Sequence, residues 1–136
     1  VKKILDIPVI ASGDIFSKAL VEKMFNETGC DAVAVARGAL GNPWIFKEMI
    51  AYHTHKSFHK PDVNDIAATM NAHLKSCADF YPHDKGIVIF RKFFNWYTKG
   101  FRNARMFREK ICRTKSTKEM LTLIEEFRTI HCAAAT

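Results

Sequence analysis

Two short turns carry the residues whose types and spacing could do chemistry. Ser12-Gly13-Asp14 ends the apolar run Ile7-Pro8-Val9-Ile10-Ala11, and Ala36-Arg37-Gly38 ends the run Ala32-Val33-Ala34-Val35. Glycine lets a backbone approach a ligand closely, and free N–H groups at a helix start attract anions. Placed side by side at the carboxyl ends of parallel strands, two such turns make a phosphate cradle. The plainer reading is a pair of ordinary tight turns in an α/β domain, and the pattern by itself leaves both open.

A second group lies downstream. Residues 85–115 hold Lys85, Arg91, Lys92, Lys99, Arg102, Arg105, Arg108, Lys110, Arg113 and Lys115 against one acid, Glu109. This stretch carries +9 of a net charge of +7, so the rest of the chain sums to −2. Phe90, Phe93, Phe94, Trp96, Tyr97, Phe101 and Phe107 are interleaved. Clustered cations on a small helical domain are the electrostatic footprint of a phosphate backbone. A solvated basic face over an aromatic core is the alternative.

The elements that must position these groups follow from periodicity. Residues 8–11 and 32–35 lack polar alternation, which suits strands buried on both faces. Between them 17–28 reads as a helix with Ser17 as N-cap and Gly29 as the C-terminal glycine. That is a βαβ unit with a right-handed crossover. Asn42-Pro43 starts another helix, to about residue 55, with Trp44, Ile45, Met49 and Tyr52 along one side. A polar stretch around Pro61 reads as a linker. Helices are then expected over 65–81 (Ile66, Met70, Leu74, Cys77 and Tyr81 on one face), 86–97 (Ile87, Phe90, Phe94, Tyr97) and 101–112. Ser116-Thr117-Lys118-Glu119 fits a capping box, starting a last helix to about 129 with Met120, Leu121, Leu123, Ile124 and Phe127 inside. Residues 131–136 are expected to fray. Four short helices with short connections make a small bundle.

Bulk properties narrow the class. The 136 residues are 48% hydrophobic, a globular composition, and no segment approaches the roughly 18 apolar residues of a membrane span. The opening VKKILDIPVI has no signal-peptide pattern and reads as a chain entered midway. Cys30, Cys77, Cys112 and Cys132 form no CxxC pair, so free thiols in a reducing compartment are expected. His53, His55 and His59 cluster without a compact ligand pattern, and no metal is expected.

The segments IPVIASGDI, TGCDAVAVARGALGNPWIF and RKFFNWYTKG resemble the closing section of bacterial-type tRNA-dihydrouridine synthases, and the similarity runs over about 1–127. The resemblance implies an α/β plus all-α chain: the last two βα units of an FMN-binding TIM barrel, followed by a small helical bundle. It implies barrel residues 1–57, a linker 58–63, a tRNA-binding helical domain 64–130 and a tail 131–136. Ser12, Gly13, Asp14, Ala36 and Arg37 would border the FMN phosphate. Arg91 and Lys92 would touch RNA or order the bundle, with Arg102, Arg105 and Arg108 as further RNA contacts. NADPH would be the reductant, hydride would pass from flavin to C6 of a uridine in tRNA, and an upstream cysteine would protonate C5. No catalytic residue lies in this chain, and two parallel strands alone would expose unpaired edges and an uncovered apolar face, so the polypeptide by itself is expected neither to hold flavin tightly nor to turn over. The parent would be a cytoplasmic monomer.

Three positions depart from the family pattern: Ser12 replaces Asn, Ala36 replaces Gly, and Phe93 replaces His. Ser12 loses the amide's combined donor and acceptor. Ala36 would weaken flavin affinity if its position needed positive φ. The first two segments alone would also permit another FMN oxidoreductase acting on a small molecule. A non-catalytic RNA-binding helical module is the third possibility.

Overall fold

Residues 2–133 are described by the structure, a computed structural model, in which the chain divides into two units, Val1–His59 and Lys60–Thr136. The described residues are mostly helical and hold one two-stranded sheet.

In the first unit, β1 (Ile10–Ser12) and β2 (Ala32–Ala34) pair in parallel across the helix α1 (Lys18–Thr28). Ser17 caps α1 by its backbone, and Gly29 ends it at φ 65° with its N–H on the Phe25 carbonyl. Asp31 clamps the start of the strand pair. Its carboxylate accepts from the Val9 N–H at 2.7 Å and pairs with Lys2 at 2.8 Å, while its own N–H reaches the Val9 carbonyl. The Lys2 ammonium, helped by the Val9 N–H, holds the Asp31 carboxyl below the usual range.

The apolar runs suit a sheet covered on both faces, but, as expected for two strands alone, one face is left uncovered. Alternation puts Ala11 and Val33 on one face, where Val33 and Val35 meet Val21 and Phe25 of α1 and Phe46, Met49 and Ile50 of α2 (Ile45–His53) around an apolar cavity. The other face carries Ile10, Ser12, Ala32 and Ala34, and Ile10 is 67% exposed. An apolar strand sequence encodes a second covering layer, and no element of the described residues supplies it. The helix α2 also begins later than expected. Asn42 and Pro43 belong to a preceding turn, with the Ile45 N–H on the Asn42 carbonyl, and Trp44 stands at the N-cap.

The second unit is a bundle of α3 (Val63–Phe80), α4 (Lys85–Tyr97), α5 (Ala104–Arg113) and α6 (Thr117–Cys132). Met70 and Leu74, Phe90 and Phe94, Phe107 and Ile111, and Met120, Ile124 and Phe127 are wholly buried, two or three from each helix. Phe127 packs edge-on to Phe94 and Phe107, at centroid distances of 6.4 and 5.7 Å. Truncating such a ring to Ala typically costs about 3–5 kcal/mol. Gly86 lets α4 cross close to α3, since a Cβ there would lie 2.5 Å from the Cys77 carbonyl oxygen.

Four boundaries or faces differ from expectation. The helix α3 starts at Val63 because Asp62 and Asp65 form a reciprocal capping box. The helix α5 starts at Ala104, since Asn103 is left-handed at φ 61°; Phe101 stays in the loop and packs on Phe127 and His131. Leu121 is 42% exposed, because it lies a full 100° around the helix from Met120. Residues 131–133 do not fray. His131 is buried within α6, with Nδ1 2.8 Å from the Phe127 carbonyl and Nε2 2.9 Å from the Arg102 carbonyl. Residues 134–136 of the expected tail lie outside the described residues. At Ser116 the box is only half closed: Ser116 Oγ accepts from the Glu119 N–H, but Glu119 accepts from Lys115 rather than Ser116.

Candidate cofactor turn and nucleic-acid interface

The parallel register decides the geometry of the first site. Ser12 pairs with Ala34, the last residues of β1 and β2, so both turns leave the sheet at its carboxyl edge. Gly13 and Asp14 therefore come beside Ala36 and Arg37. The Arg37 guanidinium Nη2 donates to Asp14 Oδ1 across the gap, with both side chains mostly exposed. An exposed ion pair of this kind contributes little stability, about 1 kcal/mol at most. It orients the guanidinium and leaves most of its five donors for an oxyanion.

Ala36 has φ −109°, so the methyl imposes no left-handed strain. The positive φ on which a weaker flavin affinity would depend is not found at Ala36. The left-handed residue is instead Asp14, at φ 43°, a residue type that tolerates that region.

Sequence reasoning read Gly38 only as the glycine of its turn. It sits in the short 3₁₀ turn Arg37–Ala39, which packs on the backbone of the other turn. A Cβ at position 38 would lie 1.9 Å from the Ile15 carbonyl oxygen and 3.2 Å from Phe16 Cα. The glycine was legible as a turn residue. Its role in seating one turn against the other was not, because nothing local marks Ile15 as the neighbour.

The residues singled out in the second unit separate into different roles. Arg91 is half-buried and donates from Nη2 to the Thr114 carbonyl at 2.5 Å, tying α4 to the loop between α5 and α6. Its Nε is buried with no hydrogen-bond partner among the described residues. Lys92, one step around the helix, is exposed. Arg105 pairs with Glu109 along α5, and Arg108 and the loop residue Arg102 are exposed. Among the described residues the side chains of Lys92, Arg102 and Arg108 enter no ion pair. Lys110 is committed to Glu126 of α6.

His73 of α3 packs at a tilt against Phe93, with ring centroids 4.4 Å apart, and faces the Tyr97 hydroxyl through Nδ1 at 3.3 Å. Burial pushes its imidazole below the usual range and pushes the Tyr97 hydroxyl and the Cys77 thiol up. The four cysteines are free thiols. Among the described residues no three His, Cys, Asp or Glu side chains converge as metal ligands would. No helix there is long and apolar enough to cross a membrane.

Residues 1–134 match the sequence model of the dihydrouridine synthase (Dus) family, and the chain belongs to that family. It is 34% identical over 128 residues to tRNA-dihydrouridine synthase B of Pasteurella multocida, and equally to that of Xanthomonas campestris. Identity to the Pseudomonas aeruginosa protein of the same name is 32%. Each alignment takes in 93% of this chain but 39% of the relative, so the chain spans about two fifths of the length of the proteins it resembles.

Proposed function

We propose that this chain is the carboxyl-terminal portion of a flavin-dependent tRNA-dihydrouridine synthase, which reduces uridine in tRNA to 5,6-dihydrouridine with NADPH in the cytoplasm. The first unit would be the last two βα units of a TIM barrel, and the second would hold tRNA. The observation that carries the reading is the register of Ser12 on Ala34, which sets Gly13, Asp14, Ala36 and Arg37 at one edge.

These residues suit the phosphate end of FMN. Gly13 presents backbone without a side chain, Ser12 offers a hydroxyl, and Arg37 offers a charge already aimed by Asp14. Bound FMN would supply a hydride donor at the uracil ring. The chain's own share is to neutralise the phosphate and to orient the bound group through fixed backbone. The exposed cations of the second unit would grip tRNA through phosphates and sugars, with little base reading. A target uridine has to leave its stack to be reduced.

The test uses the full-length parent enzyme. Arg37→Gln should weaken FMN retention and lower dihydrouridine formed in an unmodified tRNA transcript, and excess FMN should restore activity. Unchanged FMN retention would remove the phosphate role from Arg37. Absence of dihydrouridine with the wild-type parent would overturn the enzymatic reading.

One observation favours the non-catalytic alternative: the wholly buried core of the second unit is drawn from its own four helices. On that reading tRNA binding would persist while uridine reduction was absent in the parent.

A further inference from the structure

We infer that the exposed face of α4 is a stacking site for an unpaired nucleotide, with Trp96 as the platform and Lys92 and Lys99 as its phosphate contacts. The inference rests on the tRNA-binding reading and adds a site to it.

The helix α4 has two faces. Ile87, Phe90, Phe94 and Tyr97 are buried, while Lys85, Val88, Lys92 and Trp96 are exposed. At 100° per residue these four fall within about 80° of one another, opposite the buried stripe. Trp96 is 40% exposed, and Val88, two turns earlier on the same face, is half exposed. The Lys99 ammonium stands 5.5 Å from the indole centroid. A tryptophan with one lysine over its ring and a second lysine one turn back presents a π-surface flanked by cations, and a stacking base would displace the Lys99 ammonium from the ring toward its own phosphate. The sequence has no carboxylate from Lys85 to Arg108, so nothing acidic along this stretch opposes an anion.

That combination discriminates among partners. A duplex offers phosphates but keeps its bases stacked on each other. An acidic peptide would satisfy the lysines but would leave the indole without a planar partner. An unpaired nucleotide satisfies both, since every base has a π-face and its phosphates lie at the rim. Folded RNA displays such bases in loops and bulges. The two contact types also have separable signatures: stacking is nearly independent of salt, whereas each lysine–phosphate contact releases counterions.

The test titrates the 136-residue chain with an unmodified tRNA transcript. Indole emission should be quenched on binding, and the quenching should vanish in Trp96→Phe, which still binds. Trp96→Ala should weaken affinity by roughly 5- to 150-fold with the salt slope unchanged. Lys92→Ala should instead reduce that slope by about 1. Binding without quenching would overturn the stacking site while leaving the tRNA reading intact. So would equal quenching by poly-glutamate, which would make the face a general anion surface. No binding by the wild-type chain would overturn both. Should Trp96→Ala fail to fold, the difference in quenching between wild type and Trp96→Phe decides.

Discussion

Gly38 and Ile15 are in such close approach that the Gly38 position has no room for a side chain: a Cβ would sit 1.9 Å from the Ile15 carbonyl oxygen. This contact seats the turn carrying Arg37 on the turn carrying Asp14. Gly38→Ala should therefore force backbone apart and destabilise the chain by about 1–3 kcal/mol or more. Gly29→Ala is the control. Its Cβ would meet nothing within 4 Å, so only the left-handed φ of 65° is penalised, by about 1 kcal/mol. Urea unfolding of the two variants compares clash with strain. A smaller loss for Gly38→Ala would mean that the turns separate without cost.

Arg91 and Lys92 are neighbours in different settings, the first half-buried and hydrogen-bonded, the second exposed. Arg91 bridges to the Thr114 carbonyl, and losing a charged hydrogen bond there should cost roughly 1.5–3 kcal/mol. Arg91→Ala should lower the thermal midpoint. Lys92→Glu should leave stability within about 0.5 kcal/mol and weaken tRNA binding most at low salt. Reversal of the two effects would show that the hydrogen bond is dispensable and that Arg91 is the RNA contact.

Acidification should weaken the bundle through His73. Burial against Phe90, Phe93 and Tyr97 depresses its imidazole below the unfolded value of about 6.5. Above that value both states are neutral and nothing is lost. As pH falls below it the unfolded chain takes up a proton that the folded chain resists, so stability declines toward the folded value. Thermal midpoints at pH 7.5 and 5.0 should differ less for His73→Phe than for the wild type. An equal difference would assign the pH dependence to other groups.

The reciprocal bonds of Asp62 and Asp65 give α3 its start. Asp62→Ala should cost about 1 kcal/mol, whereas Asp62→Ser should recover most of it. Denaturant midpoints of the two variants report this directly. An Asp62→Ala chain as stable as the wild type would mean that neighbouring contacts fix the helix start unaided.

Local chemistry accounts for what could be read without coordinates. Gly29 and Tyr81 before Pro82 end helices through their backbone preferences, Ser116 starts one through its side-chain hydroxyl, and the inner stripe of α4 follows from spacing alone. The capping box at Asp62 escaped because its reciprocal partner is Asp65, not the usual Glu or Gln. Periodicity also misjudged Leu121, since a run of apolar residues does not say which of them face inward.

The amino-acid sequence by itself determined the order of elements, the family, and the two turns that end β1 and β2, because caps, periodicity and motif spacing act over a few residues. Only the tertiary structure decided what those residues touch: Arg37 on Asp14, Gly38 on Ile15, Arg91 on Thr114, His131 on the Arg102 carbonyl. Those partners lie far apart along the chain or fill a loop from another helix. The chain's closure brings them together, and no local preference specifies it.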